Sequence, residues 1–498
     1  MDDAGAATDY MKKAAGLRLV SESFIGGRFV SAADEERFAV ISSIDGRQLT
    51  TAPACKAVDV DAAVLAARSA FEKGQWANAA PAERKAVLLR LADIMEANSE
   101  ELALLECLDM GKPIASAVSV DIPASIACIR WCAEQADKLY GMVAPTAPGT
   151  VATITREPVG VVAAVIPWNF PLMMAAWKVG PALVTGNSLI LKPAEQSPLS
   201  AMRLAEMAAE AGLPDGVFNV VTGFGETAGR AIGLHPDIDA VSFTGSTAVG
   251  KLFLQYSGQS NMKRVSLECG GKSPAIIMPD ADLEFAVETA AWAVFFNQGE
   301  CCDALSRLLV HRSVLQEVSE RLAALASEVK VGHPLDESTQ VGAILDEAQF
   351  RRIAGYLSAG QAEGARLAFG GERILEDLGG YYVTPALFEG ATNQMKIARE
   401  EIFGPVITMI DFETEAQALE LANDSEYGLV ASLFTNDLNA AHRMSKELRA
   451  GAVWVNCFDA GDMTVPHGGY RQSGIGRDRS PLCFDKYCEA KTTWINLR

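Results

Sequence analysis

The stretch Val159-Gly-Val-Val-Ala-Ala-Val-Ile166 runs directly into Pro167-Trp-Asn-Phe-Pro171, and it marks where the chain begins to alternate between strand and helix. An uncharged run of this length that ends at a proline is typical of a buried strand. Strands and helices in alternation predict a parallel sheet with right-handed crossovers. The predicted elements that follow are helix 172–183, strand 188–192, helix 198–211, strand 217–221, helix 226–233, strand 240–243 and helix 249–257.

The residues on either side extend this pattern. Upstream, apolar residues at helical spacing predict a long helix over 82–108 and a second over 121–139, followed by an extended hairpin over 143–156. Downstream, a second alternating region runs from about 274 to 470, with strands such as 307–310 and 406–410. The last strand, 487–498, has no helical partner. It is predicted to pair with 143–156 or with another subunit, or alternatively to close the sheet of its own domain.

Length and composition exclude several classes of function. A chain of 498 residues suggests two or three domains, and a formal net charge of −20 argues against a nucleic-acid partner. The acidic start, Met1-Asp2-Asp3, is unlike a signal peptide, and the longest apolar stretch, 159–168, is too short to cross a bilayer. Ten cysteines without CxxC spacing and five scattered histidines predict reduced thiols and no metal site. We therefore expect a cytoplasmic protein without a membrane segment.

A polar turn carries the first candidate for chemistry. Residues 297–302 read Asn-Gln-Gly-Glu-Cys-Cys, and a cysteine at the mouth of such a turn can act as a nucleophile once its thiolate forms. The alternative is that both cysteines are small buried hydrophobes. Upstream, residues 265–271 place one carboxylate, Glu268, at the end of an apolar strand beside two glycines, which favours the functional interpretation.

Four further segments favour a bound nucleotide and an oxyanion. The turns 222–229 and 243–250 each join a strand to a helix; the third glycine of the first is one residue late for the dinucleotide fingerprint, and the helix N-terminus at the second can hold a phosphate, although plain connections need no ligand. A strand that ends in Lys192 and Glu195 places charge at the ligand-binding edge of the sheet, where a carboxylate suits a ribose diol. The alternative there is a surface ion pair. Asn169, held between prolines, is either a donor to an oxyanion or a turn residue.

Seven segments in order together resemble the NAD(P)-dependent aldehyde dehydrogenase superfamily, over almost the whole chain. Three additional segments, 108–113, 461–464 and 491–495, resemble its omega-aminoaldehyde branch, which includes gamma-glutamyl-gamma-aminobutyraldehyde dehydrogenases. The seven segments are Pro167-Trp-Asn-Phe-Pro171, Lys192-Pro-Ala-Glu195, Phe243-Thr-Gly-Ser246, Leu267-Glu-Cys-Gly-Gly-Lys272, Gln298-Gly-Glu-Cys-Cys302, Glu401-Ile-Phe-Gly-Pro405 and Gly474-Ile-Gly-Arg-Asp478.

The resemblance implies a set of roles. Cys302 is the expected nucleophile, Asn169 the expected oxyanion donor and Glu268 the base that activates water, while Lys178 and Asp478 pass the proton outward. NAD is the expected cofactor, and Glu195 favours it over NADP. The implied cofactor-binding residues are Ile166, Pro167, Trp168, Lys192, Glu195, Gly225, Phe243, Gly245, Ser246, Glu401 and Phe403. The implied substrate residues are Phe170, Trp177, Phe296, Cys301, Asp303, Asp459, Gly461 and His467.

Departures from the usual family pattern bear on the substrate. Asp303 and Leu305 replace small or hydroxylated residues, His467 stands where phenylalanine is usual, and Arg471 replaces lysine. Asp303 and Asp459 would favour a cationic omega-amino aldehyde, whereas His467 would bind a phenolic or carboxylate tail. The alternative for Asp303 is that it pairs with a nearby cation and never meets the substrate.

The resemblance also implies the architecture: a Rossmann-like parallel-sheet NAD-binding domain (1–139 and 159–270), an α/β catalytic domain (271–470) and a β-strand oligomerisation arm (140–158 and 480–498). The expected partners are a small-molecule aldehyde, an omega-amino or aromatic one, and further copies of the chain in a homodimer or homotetramer. Two alternatives to a hydrolytic dehydrogenase are a CoA-acylating relative, which would not need Glu268, and a non-enzymatic structural protein on the same fold.

Overall fold

The structure, a computed structural model, describes residues 3–497, so Met1, Asp2 and Arg498, which the predicted ranges include, lie outside the described residues. Two large sheets organise the chain. The first has eight strands and is parallel through its centre, with antiparallel strands at both edges. In spatial order its strands are Arg28–Val30, Ser23–Ile25, Phe218–Val220, Ser188–Lys192, Val161–Val165, Ala240–Thr244, Arg264–Glu268 and Gly474–Ile475.

Helices cover both faces of the first sheet. Helix Pro171–Val184 is buried along nearly its whole length, because it lies between the sheet and the helices of the N-terminal region. The sequence-based prediction of one helix over 82–108 is wrong: the chain breaks at Asn98, whose side chain caps the preceding turn by donating to the carbonyl of Ile94. The helices around this sheet are Ala57–Lys73, Pro81–Ala97, Ser99–Met110, Ile122–Glu134, Pro171–Val184, Leu199–Glu210, Arg230–Leu234 and Thr247–Gln259.

The second predicted helix also differs from its prediction. It begins one residue later than 121, ends at Glu134 rather than 139, and continues a short helix and a π-turn that start at Ile114. The combined stretch Ile114–Glu134 is long and apolar enough, by length and composition, to cross a membrane. It packs against Pro81–Ala97 and Pro171–Val184 in the first core, which is the environment of a core helix.

The second sheet has seven strands and is parallel except at one edge. Its apolar residues form two cores, one on each face. Its strands are, in spatial order, Arg366–Phe369, Ala386–Glu389, Val406–Phe412, Arg307–His311, Pro274–Ile277, Val430–Phe434 and Ala452–Val455. Its main helices are Leu283–Phe295, Leu315–Glu328, Glu347–Ala362, Glu415–Asn423 and Leu438–Glu447.

A separate three-stranded sheet, here called the arm sheet, consists of Met142–Ala144, Thr150–Pro158 and Cys488–Asn496. Cys488–Asn496 pairs antiparallel with Thr150–Pro158 over nine residues, from Cys488 opposite Pro158 to Asn496 opposite Thr150. The pairing of the last strand with the 143–156 hairpin is therefore confirmed. The predicted α/β class with two parallel-sheet units is also confirmed, whereas the exact domain ranges remain predictions.

Candidate active site

The loop that carries the two adjacent cysteines has an unusual backbone. It begins where helix Leu283–Phe295 ends, and Asn297, Gln298 and Gly299 have φ angles of 51°, 58° and 73°. Three consecutive residues thus lie in the left-handed region, which persists only where surrounding structure holds it. A Cβ at Gly299 would overlap the backbone of Gly404, so this position requires glycine.

Asn169 is tied directly to this loop. Its side-chain nitrogen donates to the carbonyl oxygen of Glu300 at 2.9 Å, and Asn297 donates to the same oxygen and to the carbonyl of Asn169, both at 3.1 Å. Asn169 is buried. An amide nitrogen carries two hydrogens, and only one of those on Asn169 is used by these bonds. The second is available for an atom placed beside the cysteine loop.

Cys302 is half-buried. The Cys301 thiol, burial and the negative charges of Asp303 and Glu268 together raise the pKa of Cys302 well above its usual range. The sulfur lies 3.9 Å from Oδ1 of Asp303. With these neighbours the free thiol is protonated at neutral pH, and its activation requires a base or a compensating charge near the sulfur.

Glu268 ends the strand Arg264–Glu268 and is buried. It lies in register with Thr244 on one side and Gly474 on the other, so three segments meet at this carboxylate. Burial raises the pKa of Glu268 to about 7, although the nearby His467 opposes this change. The oxygen Oε1 of Glu268 has no hydrogen-bond partner among the described residues. A buried carboxylate with a pKa near neutrality can serve as a general base.

Asp303 and His467 form a buried pair. Nε2 of His467 lies 3.0 Å and 3.2 Å from the two oxygens of Asp303, and its Nδ1 lies 3.6 Å from Oε1 of Glu268. Burial alone would lower the pKa of His467, but the carboxylates of Asp303 and Glu268 raise it to about 10. The ring of Trp177 lies 5.0 Å from the imidazole, centroid to centroid. Asp303 therefore has a cationic partner within the protein.

A second buried ionic group lies next to the first. Asp478 binds both Lys178 and Lys486, and its backbone exchanges hydrogen bonds of 2.8 Å and 2.7 Å with that of His467. Burial would raise the pKa of Asp478, but the two lysines hold it well below its usual range. Burial lowers the pKa of Lys178. These groups form a polar path that leads away from Glu268.

Two of the predicted substrate residues are aromatic and contact each other. The rings of Phe170 and Phe296 are stacked with their centroids 6.1 Å apart, and both pack with the apolar core of the first sheet. The other predicted substrate residues differ in exposure: Cys301 is half-buried, whereas Asp459 and Gly461 are exposed. Two apolar rings and an exposed carboxylate are thus present among the predicted substrate residues.

The predicted cofactor residues Ile166, Lys192 and Ser246 lie at or just beyond the carboxyl ends of three strands of the first sheet, the edge at which open α/β sheets bind ligands in a cleft. The backbone N–H of Ile166 donates to the carbonyl of Lys192 at 3.1 Å, which joins the ends of two strands. The buried Nζ of Lys192 lies 3.5 Å from Oε2 of Glu195, and burial lowers its pKa. Across the cleft, the rings of Trp168 and Phe403 meet edge to face at 5.2 Å.

Two turns border this cleft. Gly225 opens an exposed turn, and a Cβ added there would meet nothing within 4 Å. A Cβ added at Gly245 would lie 2.6 Å from the ring of Phe243, so a larger residue is excluded at this position. Ser246 caps helix Thr247–Gln259, and its hydroxyl accepts from the N–H of Val249 at 3.3 Å. An exposed N-terminus of a helix this long can receive an anion.

Glu401 completes the cleft. Its Oε1 accepts a hydrogen bond of 3.0 Å from the N–H of Gly271, and burial raises its pKa to about 7. Pro167 is half-exposed at the end of its strand. Acidic groups that suit hydroxyls, together with an open helix N-terminus that suits phosphate, match the chemistry of a dinucleotide.

Sequence reasoning missed several members of the site. Lys486 shares Asp478 with Lys178, and no motif in the sequence indicates this. The buried Lys112 lies with its Nζ 4.4 Å from the centre of the Phe170 ring, and it is itself paired with Asp121. In the sequence, the segment 108–113 that contains Lys112 indicates only a resemblance to the omega-aminoaldehyde branch. Among the described residues there is no cluster of side chains able to hold a metal ion.

A thiol, an amide donor and a buried carboxylate beside a nucleotide-type cleft define a cysteine-dependent oxidoreductase on an α/β fold. A family model described as "Aldehyde dehydrogenase family" matches residues 29–493, and the chain therefore belongs to the aldehyde dehydrogenase family. The predictions of the family and of the enzyme class are confirmed.

Individual relatives are similar over nearly their full length. The NADP/NAD-dependent aldehyde dehydrogenase PuuC of Escherichia coli is 50% identical over 489 residues, 98% of either chain. Aminoacetaldehyde dehydrogenase of Pseudomonas aeruginosa is 46% identical over 490 residues, also 98% of either chain. Among solved structures, a mutant of P. syringae AldA indole-3-acetaldehyde dehydrogenase, in complex with NAD+ and IAA, has a TM-score of 0.98 at 51% identity, covering 99% of this chain and 100% of that one.

Proposed function

We propose that this protein oxidises an aldehyde to a carboxylic acid with NAD, through a thioester on Cys302 that water hydrolyses. The observation that carries the proposal is the 2.9 Å hydrogen bond that joins Asn169 to the cysteine loop, because it places an amide donor beside the thiol. Glu268, buried and with a pKa near 7, supplies the base.

The residues divide the reaction among them. Once a base has taken the proton of the Cys302 thiol, the thiolate sulfur adds to the aldehyde carbon, and the oxyanion accepts hydrogen bonds from the free hydrogen of the Asn169 amide and from the Cys302 N–H. Bound NAD would supply the hydride acceptor, and loss of the hydride from the Cys302 adduct would leave a thioester on the sulfur. Glu268 then takes a proton from water, whose oxygen adds to the thioester carbon and expels the sulfur. The proton leaves through Lys178 and Asp478.

NAD would be held by the residues of the cleft. Glu195 and Lys192 would bind the adenine ribose, the turn at Gly245 and Ser246 would bind the pyrophosphate, and Glu401 would bind the second ribose. The Glu195 carboxylate disfavours a 2′-phosphate, so NAD is preferred to NADP. This preference would distinguish the protein from its relative PuuC, whose name includes both cofactors.

The substrate is an omega-amino or aromatic aldehyde. Stacked Phe170 and Phe296 suit a ring, and the exposed carboxylate of Asp459 at the rim suits an amino group. The pairing of Asp303 with His467 leaves Asp459 as the carboxylate available for a cationic tail. Relatives named for aminoacetaldehyde and for indole-3-acetaldehyde support both classes.

The test is NADH formation with matched amino, aliphatic and aromatic aldehydes, with and without CoA. We expect turnover without CoA, and Cys302→Ala to abolish it, while Cys457→Ala, at another half-buried thiol, retains it. A strict requirement for CoA would favour the acylating alternative. No NADH with any aldehyde would favour the structural alternative and overturn the proposal.

The protein also assembles with copies of itself, as a homodimer or homotetramer, in the cytoplasm. The arm sheet leaves large apolar side chains open to solvent: Met142, Val143 and Trp494 are 63%, 73% and 63% exposed. Apolar patches of this kind mark interfaces between subunits. Light scattering after size-exclusion chromatography measures the oligomer, and Trp494→Glu is expected to weaken it. A monomeric wild type would overturn this part of the proposal.

A further inference from the structure

Two buried polar atoms face each other without a partner. Nδ1 of His467 and Oε1 of Glu268 both lack a hydrogen bond among the described residues, and they lie 3.6 Å apart. The other ring nitrogen of His467 is occupied by Asp303 at 3.0 Å and 3.2 Å. Because both oxygens of Asp303 accept at Nε2, that nitrogen carries a hydrogen. The imidazole thus stands between two carboxylates, one bonded and one just beyond hydrogen-bond reach.

The imidazole is held firmly in this position. Its backbone is fixed by the two hydrogen bonds exchanged with Asp478, and its ring packs against Trp177 at 5.0 Å. His467 is only 4% exposed, so water does not screen its charge. A fixed cation at this distance lowers the free energy of an ionised Glu268 far more than it would in water.

The pocket otherwise opposes ionisation of Glu268. Burial raises the pKa of Glu268 to about 7, and the carboxylates of Asp478 and Asp303 add to that effect. The cations that oppose them are His467, whose pKa is raised to about 10, and the more distant Lys178. The charged and titratable groups around the imidazole and Glu268 are Cys301, Cys302, Asp303, Asp459, Lys178, Asp478 and Arg479.

We propose that His467, held as an imidazolium by Asp303, is a positioning residue that keeps Glu268 ionised for the hydrolysis of the thioester. The inference rests on the proposed function and adds a residue to it. The imidazolium itself neither gains nor loses a proton. Water gives its proton to Glu268, the hydroxide oxygen bonds to the thioester carbon, and the bond to the Cys302 sulfur breaks to release a thiolate.

The test separates hydrolysis from the earlier steps. Rapid mixing of enzyme, NAD and aldehyde gives a burst of NADH, and rapid quench with intact-mass analysis follows decay of the acyl-enzyme at each pH. In His467→Gln we expect the amplitude of the NADH burst to be retained. The pH midpoint of acyl-enzyme decay should rise by at least about one unit. Below the midpoint the decay should therefore be roughly tenfold slower than in wild type, and high pH should restore its rate. His442→Gln, the same change at an exposed histidine, is the matched control and is expected to leave the midpoint unchanged.

His467→Phe keeps a ring against Trp177 without the charge, so it serves as the second variant if the glutamine variant fails to fold. It should show the same shift. If the variant that folds has an acyl-enzyme decay that is slower by the same factor at every pH, with an unchanged pH midpoint, His467 has a structural role and the inference is overturned. If wild type forms no NADH with any aldehyde, the proposed function fails instead, so the two failures are distinguishable.

Discussion

The side-chain nitrogen of Asn169 and the carbonyl oxygen of Glu300, 131 positions apart in the chain, are joined by a 2.9 Å hydrogen bond. Glu300 immediately precedes the two adjacent cysteines. One bond therefore holds an amide donor against the loop that presents Cys302, and Asn297 reinforces the same carbonyl from within the loop.

This relationship predicts the effect of Asn169→Asp. The change removes the donor to the oxyanion, and we expect kcat to fall about 10²–10³-fold, as is typical for one lost oxyanion donor. The measurement is steady-state NADH formation. Asn297→Asp is the matched control, because it also loses a donor to Glu300 but offers nothing to the oxyanion. An equal loss in both variants would mean that only loop geometry had been disturbed.

Glu268→Gln should separate the two halves of the reaction. Without the base, NADH should still appear in a burst of about one equivalent per active site, while steady-state turnover falls by about 10²–10⁴-fold. The pKa of Glu268 is raised to about 7, so the base is present only above that pH and wild-type turnover should decline as pH falls through 7.

A control is needed because a second carboxylate, that of the half-buried Glu401, also has a pKa raised to about 7. Glu401 accepts from Gly271 in the cofactor cleft, so Glu401→Gln should raise KM for NAD and preserve hydrolysis. Loss of the burst in Glu268→Gln would contradict the assignment of Glu268 to the water step.

Glu195→Gln should relax the choice of cofactor. The Glu195 carboxylate, 3.5 Å from the buried Lys192, repels a 2′-phosphate, and its neutralisation should lower KM for NADP by about tenfold, or ~1.4 kcal/mol. The ratio of kcat/KM for the two cofactors is the measurement. Glu226→Gln, an equal charge change at an exposed neighbour of the same cleft, should have little effect. A ratio unchanged in Glu195→Gln would remove Glu195 from cofactor selection.

Gly299→Ala should destabilise the protein. Gly299 has a φ of 73° and no space for a Cβ beside Gly404, so the expected cost is at least about 1–3 kcal/mol and a lower thermal midpoint. Gly364→Ala is the matched control. The φ of Gly364 is 98°, but nothing lies within 4 Å of the position of an added Cβ, so this variant has only the cost of the positive φ. Equal midpoints for the two variants would show that contact with Gly404 carries no cost.

Local patterns in the sequence predicted much of the fold. The strand over 188–192 was predicted with its observed bounds, and the strand and helix alternation after residue 159 appears in the structure in the same order. Each of these elements is short and ends at proline, glycine or a polar residue. The prediction of one long helix over 82–108 is wrong because the helical spacing of apolar residues continues across Asn98. A break at one residue leaves that spacing intact.

The individual site residues were easier to predict than their partners. Cys302, Glu268 and Asn169 lie in recognisable segments, whose roles remain proposals. The contact between Asp303 and His467 spans 164 positions, and Asp478 joins Lys178 across 300. Such contacts depend on how distant segments pack, for which local spacing carries no signal.

One of the two strand partners of Glu268 is Gly474, and the arm sheet is complete only when residues 488–496 lie against 150–158. A chain that is still being synthesised therefore has Cys302 before the segments that surround Glu268 and complete the arm sheet are present. Deletion of residues 488–496, which removes the longest pairing of the arm sheet, should therefore lower NADH formation although Cys302, Glu268 and Asn169 all remain in the chain.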